Sequence, residues 1–286
     1  MNLVGEYLRA RRELIRPEDV GLPDNGHRRV PGLRRDELAM LAGISTEYYT
    51  RLEQGRDRRP SPQVLDALAH ALGLDEDATA HLRALGTPEE PRRRRPARVR
   101  PGVQPLLDAW HTTPAYVQGP LQDVLAANRL AVMLSPIFTP GNNILRSVLL
   151  DPAIQELLPG WQNRVGSLVA ALRAMVGPDV DNPRLTDLVG ELSIKSALFR
   201  RLWSRHDAKP HPSGGVHRLR HPIVGDLELH YEKFAVTGAD GQLLVVYHAE
   251  PDSPSADALT LLGSLPEQSA PHTTDRTAPQ SQRHQK

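Results

Sequence analysis

The stretch LRRDELAMLAGISTEYYTRLEQGRDRRPS (residues 33–61) decides how the first part of the chain folds. Residues 34–41 and 46–54 have the spacing of two short helices, broken at Ala42-Gly43-Ile44. On a helical wheel at about 100° per residue, Ser45, Tyr49 and Leu52 fall on one side of the second helix. Thr46, Glu47, Thr50, Arg51 and Gln54 fall on the other. The first set is expected to pack on Leu38, Ala39 and Leu41, with the small Ala39 allowing close approach. Gly43 can take the positive φ of a sharp turn, and Ser45 can cap the second helix. The outer row then offers hydrogen-bonding side chains on the first turns of a helix, as reading base edges in a major groove requires. Arg35, Gln54 and Arg56 flank that helix where phosphates would pass, contacts that set register without reading sequence. The same spacing also serves plain packing, and Glu47 and Arg51, four residues apart, can pair with each other on a solvated surface.

Residues 2–15 suit a preceding helix, followed by a loop rich in Pro and Gly. Ser61-Pro62 opens another helix with an N-cap and a proline at its first position. Val64, Leu65, Leu68, Ala69 and Leu72 give it one apolar face, and residues 75–85 suggest a fifth helix. Residues 1–87 thus read as a five-helix unit. PEEPRRRRPARVRPG (residues 88–102) reads as a linker, since proline and charge displace apolar residues. Residues 103–265 read as a second domain of mixed class. AYVQGP and QDVLAAN look like short strands, residues 151–175 are helical with a break at Pro159-Gly160, and Phe199, Leu202 and Trp203 mark a further helix. After His206 the period falls to two, predicting three strands within residues 216–248. Residues 266–286 are polar and expected to be disordered.

The 286 residues contain no cysteine, which excludes disulfides, thiolate metal sites and cysteine nucleophiles and suits a reducing compartment. The first residues lack the apolar core of a signal peptide, and no segment is apolar for long enough to span a membrane. The expectation is a cytoplasmic, nucleoid-associated protein. Its net charge of +1 says little, but the arginines of the first hundred residues cluster, as at 9, 11 and 12 or at 56, 58 and 59. The second domain shows no GxSxG, no Gly-rich phosphate loop and no HExxH. Its histidines invite a metal reading, yet His217 and His221 are four apart on a strand, roughly 13 Å, too far for one ion to take both. No enzyme activity, metal or cofactor is expected. A metal-dependent hydrolase and a ligand-free dimerisation or partner module remain as alternatives for this domain.

The run LRRDELAMLAGISTEYYTRLEQGRDRRPSPQVLDALAHAL resembles the helix-turn-helix of Xre-type repressors, in particular an actinobacterial branch. That resemblance implies a five-helix domain reading operator DNA through Thr46, Glu47, Thr50 and Arg51, in members that usually act as homodimers. VLAANRLA, LDPAIQELLPGWQN, RLTDLVGELSIKSALFRRLWSRHD, RHPIVGDLELHYE and LLVVYHAEPDSPSADALTLL resemble the MmyB-like ligand-binding domain. This second resemblance implies an α+β, PAS-like fold of helices and antiparallel sheet that senses a small hydrophobic, fatty-acid-like molecule. On the same ground Asn128, Trp203, His221, Tyr231 and Tyr247 are candidate ligand contacts.

Overall fold

The computed structural model describes residues 3–23, 32–57, 60–86, 98–176, 182–210, 212–239 and 241–266. Most of the 88–102 linker and nearly all of the 266–286 tail lie outside them, as do Arg58, Arg59 and His211.

The first unit is helical, as its apolar spacing predicts: α1 (Leu3–Leu14), α2 (Arg35–Leu41), α3 (Thr46–Glu53), α4 (Pro62–Ala71) and α5 (Glu76–Gly86). Leu8, Leu38, Ala39, Tyr49, Leu52 and Leu68 form the centre of its core, each essentially inaccessible to solvent. Gly43 turns the chain between α2 and α3 with φ +68°, and the amide of Ile44 donates back to the Ala39 carbonyl at 3.0 Å. That closes the helix end in the left-handed conformation glycine adopts most cheaply. Ser45 caps α3, its hydroxyl accepting from the Tyr48 amide, and Ser61 caps α4 in the same way. Gly32 lies so close to α1 that a Cβ there would stand 2.5 Å from the Arg12 carbonyl oxygen.

The second unit opens with α6 (Val103–Asp108), β1 (Ala115–Gln118) and β2 (Val124–Ala127). Seven helices follow around or before the remaining strands: α7 (Arg129–Leu134), α8 (Ile144–Leu150), α9 (Pro152–Leu157), α10 (Trp161–Val176), α11 (Pro183–Lys195), α12 (Ala197–Trp203) and, last in the chain, α13 (Pro254–Ser264). The helical periodicity of residues 151–175 is divided between α9 and α10 at Pro159-Gly160, where Gly160 takes φ +71°. β3 (Gly214–His221), β4 (Gly225–Ala235) and β5 (Leu243–His248) complete an antiparallel five-stranded sheet of order β2-β1-β5-β4-β3.

Period-two alternation gives this sheet an inner face. Leu227, Leu229 and Tyr231 of β4, Val245 and Tyr247 of β5 and Tyr116 of β1 are buried in one core with α7, α8, α10 and α12. A smaller apolar cluster of Ala115, Val117, Ala126 and Leu107 lies where β1 and β2 meet α6. On edge strand β3 the exposed Arg218 and Arg220 pair with Glu228 and Asp226 of β4. Such charges discourage further strand pairing at an edge.

The two units meet along α1 and α5 on one side and the segment after α12 on the other. Arg11 donates to the Asp207 carboxylate at 2.6 Å, and Lys209 pairs with Asp75, the residue preceding α5, at 2.7 Å. Among the described residues no helix is long and apolar enough to cross a membrane.

Candidate functional site

Two surfaces carry chemistry that the packing does not consume. The first is the outer side of α3. Thr46, Glu47, Arg51, Gln54 and Arg56 are exposed and Thr50 is half-buried, while Tyr49 and Leu52 point into the core. Thr50 donates its hydroxyl back to the Thr46 carbonyl at 2.7 Å. Glu47 and Arg51 make no ion pair with each other among the described residues, so the surface pairing their spacing allows is not formed. Both side chains remain open to an outside partner.

Beneath this surface lies a charge network that the helical wheel does not reveal. Glu53, the last residue of α3, is buried and takes bonds from two arginines. Arg12 of α1 donates to it at 3.0 and 3.3 Å, and Arg35 of α2 donates at 2.9 and 2.7 Å. Burial opposes ionisation of this carboxyl, but the bonds from Arg12 and Arg35 outweigh it and hold its pKa below the ordinary value. Arg35 therefore faces partly inward, tying α2 to α3 with a half-exposed guanidinium.

The second surface is a cavity of about 270 Å³ between the inner sheet face and α8 and α10, with Leu158 from the α9–α10 connection. Its apolar part comes from Ile137, Phe138, Ile144, Val148, Leu158 and Leu219. Tyr116 stacks on Phe138 with ring centres 4.6 Å apart, and Tyr247 lies 5.5 Å from the same ring. His217 shares a 2.8 Å hydrogen bond with the Tyr247 hydroxyl and lies 4.3 Å from the Tyr231 ring. Burial, reinforced by the positive charges of Arg164 and Lys233, pushes the His217 pKa down to about 3, so this imidazole is neutral at ordinary pH.

Arg164 and Lys233 line the same cavity, and among the described residues no carboxylate pairs with either. The Lys233 ammonium sits 5.2 Å from the centre of the Tyr231 ring. Burial pushes its pKa down to about 8 and also lowers that of Arg164. Two half-buried cations facing an apolar hollow form a place where an anionic group would gain and water alone compensates poorly.

Of the side chains singled out from sequence, Tyr231 and Tyr247 line this cavity. Asn128, His221 and Trp203 do not. Asn128 caps α7, accepts from the amides of Ala131 and Ala115, and donates to the carbonyls of Trp110 and Thr113. Its amide has no capacity left for a ligand. His221 donates through Nε2 to the Met133 carbonyl and accepts at Nδ1 from the amides of Ile223 and Val224, which secures the β3–β4 turn. Trp203 lies under the guanidinium of Arg173, 3.9 Å from its ring centre. His230 and His248 stack on the exposed sheet face, and no group of three or more His, Asp or Glu side chains among the described residues is placed to hold a metal.

A helix-turn-helix with an open polar row on its second helix, joined to a domain with a cation-bearing apolar cavity, defines a class: a transcription regulator that answers to a small molecule. Residues 3–82 match a helix-turn-helix domain family, and residues 99–262 match the MmyB-like transcription regulator ligand binding domain. The second match covers more than half of the chain, which belongs to that family. No curated protein matches it.

Proposed function

We propose that this regulator reads operator DNA as a homodimer through the outer side of α3 and that its cavity takes an amphipathic acid of the fatty-acid kind. The observation that supports the acid is the pair Arg164 and Lys233, cations without a carboxylate partner among the described residues. A carboxylate seated between them would meet charge and hydrogen-bond donors, while its chain would lie among Phe138, Ile144, Val148 and Leu158. Tyr231 and Tyr247 shape the wall near the head group, with Tyr116 and His217 beside them. On the DNA side, Thr46, Glu47, Thr50 and Arg51 are assigned to base edges, and Gln54, Arg56 and the exposed part of Arg35 to phosphates.

Ligand chemistry is tested with dodecanoate and its uncharged counterpart dodecan-1-ol in calorimetric titrations. A charge-assisted bond contributes on the order of 1.5–3 kcal/mol, so Lys233→Met is expected to weaken dodecanoate binding by roughly ten- to a hundredfold. The same variant should bind dodecan-1-ol as the unmodified chain does. Equal losses for both ligands would show that Lys233 shapes the cavity rather than recognising an anion. The DNA half is tested by selecting bound sites from random duplexes and adding dodecanoate to the selected complex. Two half-sites at a fixed separation report a dimer, and an unchanged affinity on adding dodecanoate would remove the sensing role.

A further inference from the structure

We infer that the contact between the two units is a coupling seam centred on Arg173, and that α10 and α1 carry the state of the cavity to the recognition helix. The inference rests on the reading of the cavity and of α3 given above.

α10 belongs to both sites. Arg164, Ser167 and Leu168 in its first half line the cavity. Arg173 follows Leu168 by five residues, roughly 7.5 Å further along the axis, and its guanidinium is buried at the boundary between the units. It donates to the Trp203 carbonyl at 2.7 Å, contacts Nδ1 of His206 at 3.2 Å, and covers the Trp203 ring. Its Nε is buried and has no partner among the described residues. His206 itself holds a left-handed backbone, φ +54°, which side chains other than glycine adopt at a cost. The junction is thus an arrangement with an unmet donor and a strained residue, features that persist where surrounding structure enforces them.

Across the boundary stand Tyr7, Arg11 and His81. Burial lowers the pKa of Arg173 to about 10, with Asp207, Tyr7 and Glu6 opposing that shift through their charge, and Arg173 in turn helps to lower that of His81. Arg11 reaches out of α1 to Asp207, while the next residue, Arg12, reaches the other way to Glu53 at the end of α3. A continuous set of direct contacts therefore runs from the cavity through α10, Arg173, the His206-Asp207 turn and α1 to the recognition helix. The element with two states is the docking of the units: closed, the Arg11–Asp207 and Asp75–Lys209 bridges hold α1 and α5; open, α1 loses that support. A ligand that shifts α10 shifts this equilibrium by its differential affinity for the two states.

The test is hydrogen exchange on the full chain, read by segment. Asp207→Arg places two like charges together at the seam and is expected to raise exchange severalfold in α1 and in the last turn of α3, with β1 and β5 unchanged. Adding Arg11→Asp restores an opposite pair and should return both helices to the original rates. Arg173→Met should produce the same rise in α1 and α3 and, with dodecanoate present, confine any change to α10. Unchanged rates in α1 and α3 for Asp207→Arg, or a rise that the charge swap does not reverse, would overturn the seam. If Arg173→Met raises exchange throughout the chain, the charge pair alone decides the matter. If dodecanoate leaves α10 of the unmodified chain unaffected, the ligand reading fails, and the charge-swap result still decides whether the seam controls α3.

Discussion

At the scale of single residues, the division of labour on α3 makes measurable claims. Arg51 is exposed with no ion-pair partner among the described residues, and Arg56 is exposed just beyond the helix. Arg51→Ala is expected to reduce affinity for the selected operator by about 1–3 kcal/mol and to relax preference at one base position, since base contacts carry specificity. Arg56→Ala should weaken all duplexes alike and reduce the slope of affinity against salt by about one. Mobility-shift titrations of both variants at several salt concentrations separate the two; identical effects would show that the assignments are misplaced. Glu53 makes a different claim. Removing it leaves Arg12 buried without its partner, and breaking a buried pair costs about 3–5 kcal/mol. Glu53→Ala should therefore lower the urea midpoint of the helix-turn-helix transition strongly, an effect visible without DNA. Because the folded carboxyl is held below its ordinary pKa of 4.5, the stability it contributes is present above pH 4.5 and lost as pH falls below it.

At the scale of elements, the helix-turn-helix was legible because its signals are local. The Ser45 and Ser61 caps, the Gly43 turn and the Tyr49–Leu52 face each depend on residues within one or two turns. Gly43→Ala tests the turn: an added Cβ meets no atom within 4 Å, so the cost is the left-handed backbone alone. A loss of about 1–2 kcal/mol is expected, read from thermal unfolding, and a neutral result would mean the turn relaxes. The strands after His206 were legible for the same local reason, through period two. The cavity was less so, because β3, β4 and α10 bring its polar groups together from distant sequence. A trace of it was present: His217 shares parity with Leu219, and Lys233 follows Leu227, Leu229 and Tyr231 on the inward face of β4. A lysine at the end of an apolar face is a signal that a strand reading can use. Asn128 and His221 show the opposite hazard, since a polar residue in a family motif can serve the backbone alone.

At the scale of the whole molecule, the seam should respond to acid. Burial first, and the charge of Arg173 next, lower His81 and His206 from the ordinary 6.5 to about 4, with Arg11 adding to the effect on His206 and Asp207 opposing it. In the unfolded chain these imidazoles bind protons near pH 6.5; in the folded chain they resist until about pH 4. The stability they contribute as neutral groups is therefore fully present above pH 6.5 and falls progressively between 6.5 and 4. Thermal midpoints of the full chain should fall across that window, and His81→Gln with His206→Gln should make the fall shallower, leaving the part that His217 and His221 contribute. A profile that the double substitution leaves unaltered would place the titration elsewhere.

Lysine is scarce in this chain: Lys195, Lys209, Lys233 and Lys286 are its four. Lys209 stands at the seam, Lys233 in the cavity, and Lys195 pairs with Glu191 on the surface of α11. Reductive methylation with a ¹³C label would therefore give a carbon spectrum of four lysine signals plus the amino terminus, with no arginine of the DNA-facing unit contributing. Occupation of the cavity, closure of the seam and an internal surface reference would be read at once from separate resonances. The distribution of one residue type makes the regulator its own multichannel reporter.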